Sequence, residues 1–318
     1  MIKVAFFDVD GTLLDTERIY MQAWKAAAEL SKELGAARFT PNGAFLIGGI
    51  GQLYFTKKEL SDYLGVNYCV FNLDNPQTLK IFNEKSGDKS GVSINKKIAL
   101  YADNIKIINY ETYFDIYYQN QAFPCHTKLL GIHNISNILL ALDMALHLGI
   151  NINSAIQTII NLNPTPHRLE YIKSHIDIID DTYNCSIASA SYALEFLSNI
   201  DKIKVVCTPG IVEGGKQQVN LNQQLSTQLN LVADIVIIVG KTNRKALTSK
   251  LDNFNLIPIN SKNINSLPTS HCNINVSTDQ KKSAYIVDTL DVAKLIFTKI
   301  LNSNHVLLLL NDLPDEYN

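Results

Sequence analysis

The chain has 318 residues, 46% hydrophobic and 18% charged, with a formal charge of −2; at about 100–200 residues per domain this length allows two or three domains. So small a charge gives no general pull toward nucleic acid or an acidic lipid surface, no apolar run reaches the roughly 18–20 residues of a membrane span, and Asp8 and Asp10 arrive too early for a signal-peptide core, so a cytoplasmic protein is expected. Cys69, Cys125, Cys185, Cys207 and Cys272 are odd in number and widely spaced without a C-x-x-C pair, which excludes both a disulfide framework and a Cys-type zinc site from the expectations.

In chain order, a short buried-type strand at 3–7 leads through a turn at Gly11 into a helix at 16–34, which Gly35 is placed to stop. Residues 36–53 read as a Gly-rich loop. Residues 66–72, 97–108 and 112–130 read as short strands and hairpins, and 133–148 as a helix stopped by Gly149. Beyond about 164 the pattern becomes regular. Apolar runs at 176–180, 203–207, 234–239 and 305–310 alternate with helical stretches near 187–199, 216–231, 242–251 and 283–301. Such alternation implies an α/β fold with a mostly parallel, doubly wound sheet, whose ligands sit at the carboxyl ends of the strands. Composition changes near residue 49: residues 1–49 hold eight alanines and one asparagine, whereas the rest holds thirteen alanines and thirty-one asparagines. A fused segment of separate origin would explain the break; a local Ala-rich helix (Ala23, Ala26, Ala27, Ala28) is the blander explanation.

Phe6-Phe7-Asp8-Val9-Asp10-Gly11-Thr12-Leu13-Leu14-Asp15 places two carboxylates at i and i+2 just past a strand end. One can attack phosphorus while its neighbour shuttles a proton, and both can hold Mg²⁺. The segment resembles the opening motif of the haloacid dehalogenase-like phosphatases, which implies Asp8 as nucleophile and Asp10 as acid/base. That resemblance ends near residue 49. The family's later Ser/Thr and Lys have no counterpart, and Ile178-Ile179-Asp180-Asp181 alone imitates its distal acidic pair. Residues 1–49 therefore read as a β-α fragment without catalytic partners, with a Mg²⁺-dependent phosphatase as the alternative.

Gly210-Ile211-Val212-Glu213-Gly214-Gly215-Lys216-Gln217 fits G-x-x-x-x-G-K between a strand and a helix. A phosphate loop should continue with a Ser or Thr hydroxyl for Mg²⁺, which Gln217 lacks, and Glu213 would repel phosphate. A plain strand-to-helix turn is the better reading.

Four segments work together. Gly131-Ile132-His133-Asn134-Ile135-Ser136-Asn137 opens a helix, with Asn134 and Asn137 on one face near its start; amides there can pair with an adenine edge. Pro166-His167-Arg168-Leu169-Glu170 supplies a guanidinium for phosphate or ribose oxygens. Ile178-Ile179-Asp180-Asp181-Thr182-Tyr183-Asn184 sets a carboxylate at a strand end, and Val205-Val206-Cys207-Thr208-Pro209-Gly210 ends another strand. In this order and spacing the set, with the ending at 311–317, resembles the Mur ligases over about residues 50–318. The resemblance implies a latter part of the family's central ATPase domain at 50–163 and its carboxyl-terminal Rossmann-like domain at 164–318, after a fragment at 1–49. It implies ATP and Mg²⁺, and an ATP-dependent amide-bond ligase of cell-wall precursor synthesis. Its partners would be a UDP-linked muramoyl peptide and a D-alanyl-D-alanine-type substrate. His133, Asn134, Asn137, Arg168 and Asp181 would then hold nucleotide, and Lys57, in Thr56-Lys57-Lys58-Glu59-Leu60, would be the carbamylated lysine that helps hold Mg²⁺.

The chain departs from that family in lacking its G-T-x-G-K-[ST] loop, its substrate domain and the metal-binding Glu and His upstream of the lysine. Without backbone amides and a lysine around the β/γ-phosphates, phosphoryl transfer loses its main electrostatic support, so the expectation is a truncated ligase that is inactive or only binds nucleotide. A shortened central sheet would also bare an unpaired edge.

Overall fold

The computed structural model describes residues 68–183, 185–212, 214–267 and 282–311, together with the backbone of 5–8 and 44–47. It divides into two units, Met1–Thr165 and Pro166–Asn318.

The first unit is built on a seven-stranded sheet in sequence order. Strands β1 (Ala5–Asp8), β2 (Ala44–Ile47), β3 (Tyr68–Asn72), β4 (Lys89–Ser93) and β5 (Leu100–Ile108) run parallel. Strand β6 (Glu111–Tyr118) runs antiparallel to β5, and β7 (Gln121–Thr127) antiparallel to β6. Both hairpin turns are two residues long with positive φ, Asn109-Tyr110 and Gln119-Asn120, the mirror-image turn that suits the twist of paired strands. Helix α1 (Pro76–Glu84) starts where Asn75 Oδ1 accepts the Gln77 and Thr78 amides and Pro76 supplies a preset φ; Lys89 Nζ donates to the carbonyls of Phe82 and Lys85 at its far end. Helix α2 (Ile132–His147) lays Ile135, Ile138, Leu139 and Leu142 into a core shared with Val70, Val92, Leu100, Phe114 and Ile116. Helix α3 (Ile152–Ile160) adds Ile156 and Ile159 to that core.

The second unit holds another seven-stranded sheet. Its strands are β8 (Glu170–Lys173), β9 (Asp177–Asp181), β10 (Ile203–Thr208), β11 (Ile235–Val239), β12 (Phe254–Pro258), β13 (Lys282–Val287) and β14 (His305–Leu310), in the order β12-β13-β11-β10-β14-β9-β8. All pairs are parallel except β8 with β9. Every residue of β11 is buried; side chains alternate across a strand, so both faces of the sheet are covered. The covering helices are α4 (Ile187–Ser198), α5 (Gln218–Val232), α6 (Arg244–Thr248) and α7 (Leu290–Ile300). This is the mostly parallel α/β architecture expected from the sequence.

Three local expectations are corrected. Residues 283–301 are not one helix: the β-branched and aromatic run ending at Val287 pairs with β11 and β12, and Thr289, whose hydroxyl accepts the Val292 amide, starts α7 afresh. The loop expected at 36–53 contains β2, a four-residue apolar strand. The unpaired edge expected of a shortened central sheet does not fall at β3, which pairs with β2, and β2 in turn with β1, so backbone from the first 49 residues extends the sheet.

Candidate functional site

Two clusters gather the residues that the sequence singles out, one in each unit. In the first, the chain enters α2 through Gly131 at φ +89°, a conformation that side chains resist, and no side chain caps the helix there. Asn134 and Asn137 follow one turn apart and are both buried. Asn134 Nδ2 donates to the Leu130 carbonyl at 2.6 Å, which fixes its amide orientation and leaves Oδ1 as the remaining acceptor. Asn134 Oδ1 and Asn137 Nδ2 have no hydrogen-bond partner among the described residues. Leaving a buried polar atom unpaired costs roughly 1–3 kcal/mol, so an acceptor and a donor left so together single out this end of α2 as a candidate site. His133 precedes them; burial pushes its imidazole down to about 4, so it stands there neutral.

In the second unit, β9 ends in Asp180 and Asp181, both buried. Asp181 Oδ1 accepts the Leu169 amide at 3.0 Å. Burial raises its carboxyl to about 6, against the opposing effects of that amide and of Arg168. The Arg168 guanidinium lies over the Tyr183 ring, 4.0 Å from its centroid. Asp180 Oδ2 lies 2.9 Å from His167 Nδ1, and its Oδ1 accepts from the Thr182 amide and hydroxyl.

The loop after β10 is fixed by three asparagines, of which the sequence motifs drew in only Asn311, at the start of the 311–317 ending. Asn222 Oδ1 accepts the Ile211 amide, while its Nδ2 donates to the carbonyls of Ile211 and Gln218. Asn243 Nδ2 donates to the carbonyls of Pro209 and Ile211. Asn311, just past β14, donates its backbone amide to the Asp181 carbonyl and its side-chain amide to the Gly210 carbonyl. Gly210 has φ +87°, and a Cβ there would lie 2.2 Å from Asn222 Oδ1. The loop's Ile211 amide is thus committed inward, in keeping with a strand-to-helix turn rather than a phosphate cradle. Neither Asn222, inside α5, nor Asn243, at the start of α6, carries a local sequence signal of this role.

Of the remaining sequence candidates, Asp8 ends the backbone of β1, while Asp10 and Lys57 lie outside the described residues. The acidic pair that imitated a phosphatase motif, Asp180-Asp181, belongs to the second sheet and not to the one containing β1. Among the described residues no group of three or more His, Cys, Asp or Glu side chains is placed to hold a metal ion. Cys185 and Cys207 are buried, and desolvation pushes both thiols to about 12, which makes them packing residues and not nucleophiles. No helix among the described residues is long and apolar enough to cross a membrane.

Comparison with known proteins matches residues 46–145 to the Mur ligase middle domain. A UDP-N-acetylmuramoyl-tripeptide–D-alanyl-D-alanine ligase from Buchnera aphidicola subsp. Baizongia pistaciae is 31% identical over 156 residues, covering 48% of this chain and 34% of that ligase. A UDP-N-acetylmuramoylalanine–D-glutamate ligase from the same organism is 27% identical over 219 residues, 65% of this chain and 43% of that protein. Among solved structures, the MurF ligase from Thermotoga maritima in complex with ADP superposes with a TM-score of 0.64 at 17% identity, covering 85% of this chain and 58% of that one. The chain therefore spans well under two thirds of the length of these relatives.

Proposed function

We propose that this chain belongs to the Mur ligase family, as the match of residues 46–145 to the Mur ligase middle domain supports, and that it binds an adenine nucleotide. The observation that carries the reading is the pair of buried, unpartnered amide atoms on α2, the acceptor Asn134 Oδ1 and the donor Asn137 Nδ2. Adenine offers an amino donor beside a ring-nitrogen acceptor; guanine offers two acceptors on the equivalent edge. The pair therefore selects adenine. In the second unit Asp181 is suited to a ribose hydroxyl and Arg168 to ribose or phosphate oxygens.

The reaction class we propose for the complete catalytic assembly is ATP-dependent amide-bond formation, in the cytoplasm, between a UDP-linked muramoyl peptide and a D-alanyl-D-alanine-type amine. There the carboxylate takes the γ-phosphoryl group and the amine displaces phosphate. Mg²⁺ would neutralise charge on the transferring phosphoryl group. The described residues supply no ligand set for it, and Lys57 remains the residue proposed to help hold it. The 318 residues contain no G-x-x-x-x-G-K-[ST] loop, so this chain by itself is expected to bind nucleotide without completing ligation.

Equilibrium titration with ADP and GDP tests the reading. The wild-type chain should prefer ADP, and Asn134→Ala and Asn137→Ala should each weaken ADP binding about tenfold while leaving GDP nearly unchanged. Equal affinity for both nucleotides, indifferent to either substitution, would defeat it.

A further inference from the structure

Arg168 sits between two residues whose backbone is in the left-handed region, His167 at φ +64° and Leu169 at φ +48°. Neither is glycine, asparagine or aspartate in a loose turn, and Leu169 is buried. Such conformations persist only where the surroundings over-determine them, and they cluster at binding sites.

The surroundings here are the end of β9. His167 is tied through Nδ1 to Asp180 Oδ2 at 2.9 Å, and its carbonyl accepts the Tyr183 amide at 3.1 Å. Its own amide donates to Glu170 Oε2 at 3.1 Å. Leu169 is tied through its amide to Asp181 Oδ1 at 3.0 Å. Asp180 is in turn immobilised, because its Oδ1 accepts both the amide and the hydroxyl of Thr182. Consecutive carboxylates therefore hold the two strained residues on either side of Arg168, and the Tyr183 amide closes the clip from the same segment that supplies the ring under the guanidinium.

We propose that Asp180, acting through His167, is a positioning residue that holds the 166–170 turn in the strained conformation presenting the Arg168 guanidinium to ligand oxygens. The proposal rests on the nucleotide reading above for what the guanidinium meets, but the positioning itself is a property of the protein alone. Asp180 touches no ligand in this scheme; its carboxylate fixes an imidazole, and the imidazole fixes the backbone. In Asp180→Asn the new side chain can repeat both contacts, accepting from Thr182 through Oδ1 and donating to His167 Nδ1 through Nδ2, whereas in Asp180→Ala it can repeat neither. In His167→Gly the backbone takes the left-handed conformation without strain and so no longer needs the tie.

The test compares Asp180→Ala, Asp180→Asn and His167→Gly in the full chain, with Asp180→Ala also made in the His167→Gly background. The first readout needs no nucleotide: the ring-current shift that Tyr183 imposes on the Arg168 side-chain protons, observed by NMR in arginine-labelled protein. That shift should be lost in Asp180→Ala and retained in Asp180→Asn. The second is ADP affinity, expected to fall about five- to tenfold in Asp180→Ala, to recover in Asp180→Asn, and to fall by a smaller factor when Asp180→Ala is added to His167→Gly. An unchanged ring-current shift in folded Asp180→Ala, or the same loss of affinity in the wild-type and His167→Gly backgrounds, would overturn the proposal. If the wild-type chain binds no ADP, the nucleotide reading fails, and the ring-current comparison still decides whether Asp180 positions Arg168.

Discussion

Replacing Asp181 with asparagine should make the second unit more stable and its site weaker. Burial lifts the Asp181 carboxyl from an ordinary 3.8 to about 6. Between pH about 4 and 6 the native chain therefore binds this proton more tightly than the unfolded chain does, and stability falls as the pH rises through that window. A rise of this size is worth at most ~3 kcal/mol, and relaxation around the site brings the expected loss to ~1–2 kcal/mol. The substituted amide keeps the acceptor for the Leu169 amide and removes the charge. In thermal unfolding followed at pH 4.0 and 7.5, Asp181→Asn should match wild type at the lower pH. At the higher pH it should exceed wild type by about 2–8 °C for the transition of this unit. ADP affinity at pH 7.5 should fall in the same variant, as expected when a site keeps a costly charge for its ligand. An Asp181→Asn chain no more stable than wild type at pH 7.5, or a difference that persists undiminished at pH 4, would refute the argument that this carboxylate is held ionised against its burial.

Removal of residues 1–49 takes away β1 and β2 and bares the edge of β3; light scattering should then show concentration-dependent association that the full chain does not show. Asn222→Ala leaves the buried Ile211 amide without its partner and takes one donor each from the carbonyls of Gln218 and Ile211, the latter keeping Asn243, and should cost about 2–4 kcal/mol in denaturant unfolding. Leu139→Ala empties a fully buried position on α2 and should cost about 3 kcal/mol, weakening ADP binding only as far as the first unit unfolds.

Much of this fold was legible because its strands are long apolar runs separated by well-signalled helices. The stretch 234–239 reads as a buried strand from its composition alone, and β11 at Ile235–Val239 is buried throughout. Failures occurred where two elements share one hydrophobic stretch. Lys282–Val287 and Leu290–Ile300 together look like one long amphipathic segment, and the break is carried by Asp288 and Thr289, a cap signal two residues wide. β2 was missed because four apolar residues between glycines carry little periodicity; pairing with β1 and β3, a non-local fact, makes them a strand. At the candidate site, residue types at motif spacing pointed to Asn134, Asn137, Arg168 and Asp181. What the sequence could not show was which atoms remain without partners and that the backbone on both sides of Arg168 is left-handed. Both depend on contacts across separations of four to thirteen residues, such as Asn134 with Leu130 and His167 with Asp180. Asn222 and Asn243 escaped notice for the same reason: their partners lie at Pro209 and Ile211, and no local pattern distinguishes them from surface asparagines; Asn311 was drawn in as part of the 311–317 ending, with no sign there of its bond to Gly210.

The side-chain amide resonances of Asn134 and Asn137 during titration with ADP, with GDP as the control, address the central claim most directly. Saturable movement of the Asn137 side-chain amide with ADP, absent with GDP and moved to about tenfold higher ADP concentration in Asn134→Ala, is the result expected if these atoms read adenine. Resonances that stay in place as ADP is added to saturation of any other signal, or that move equally with GDP, would contradict it.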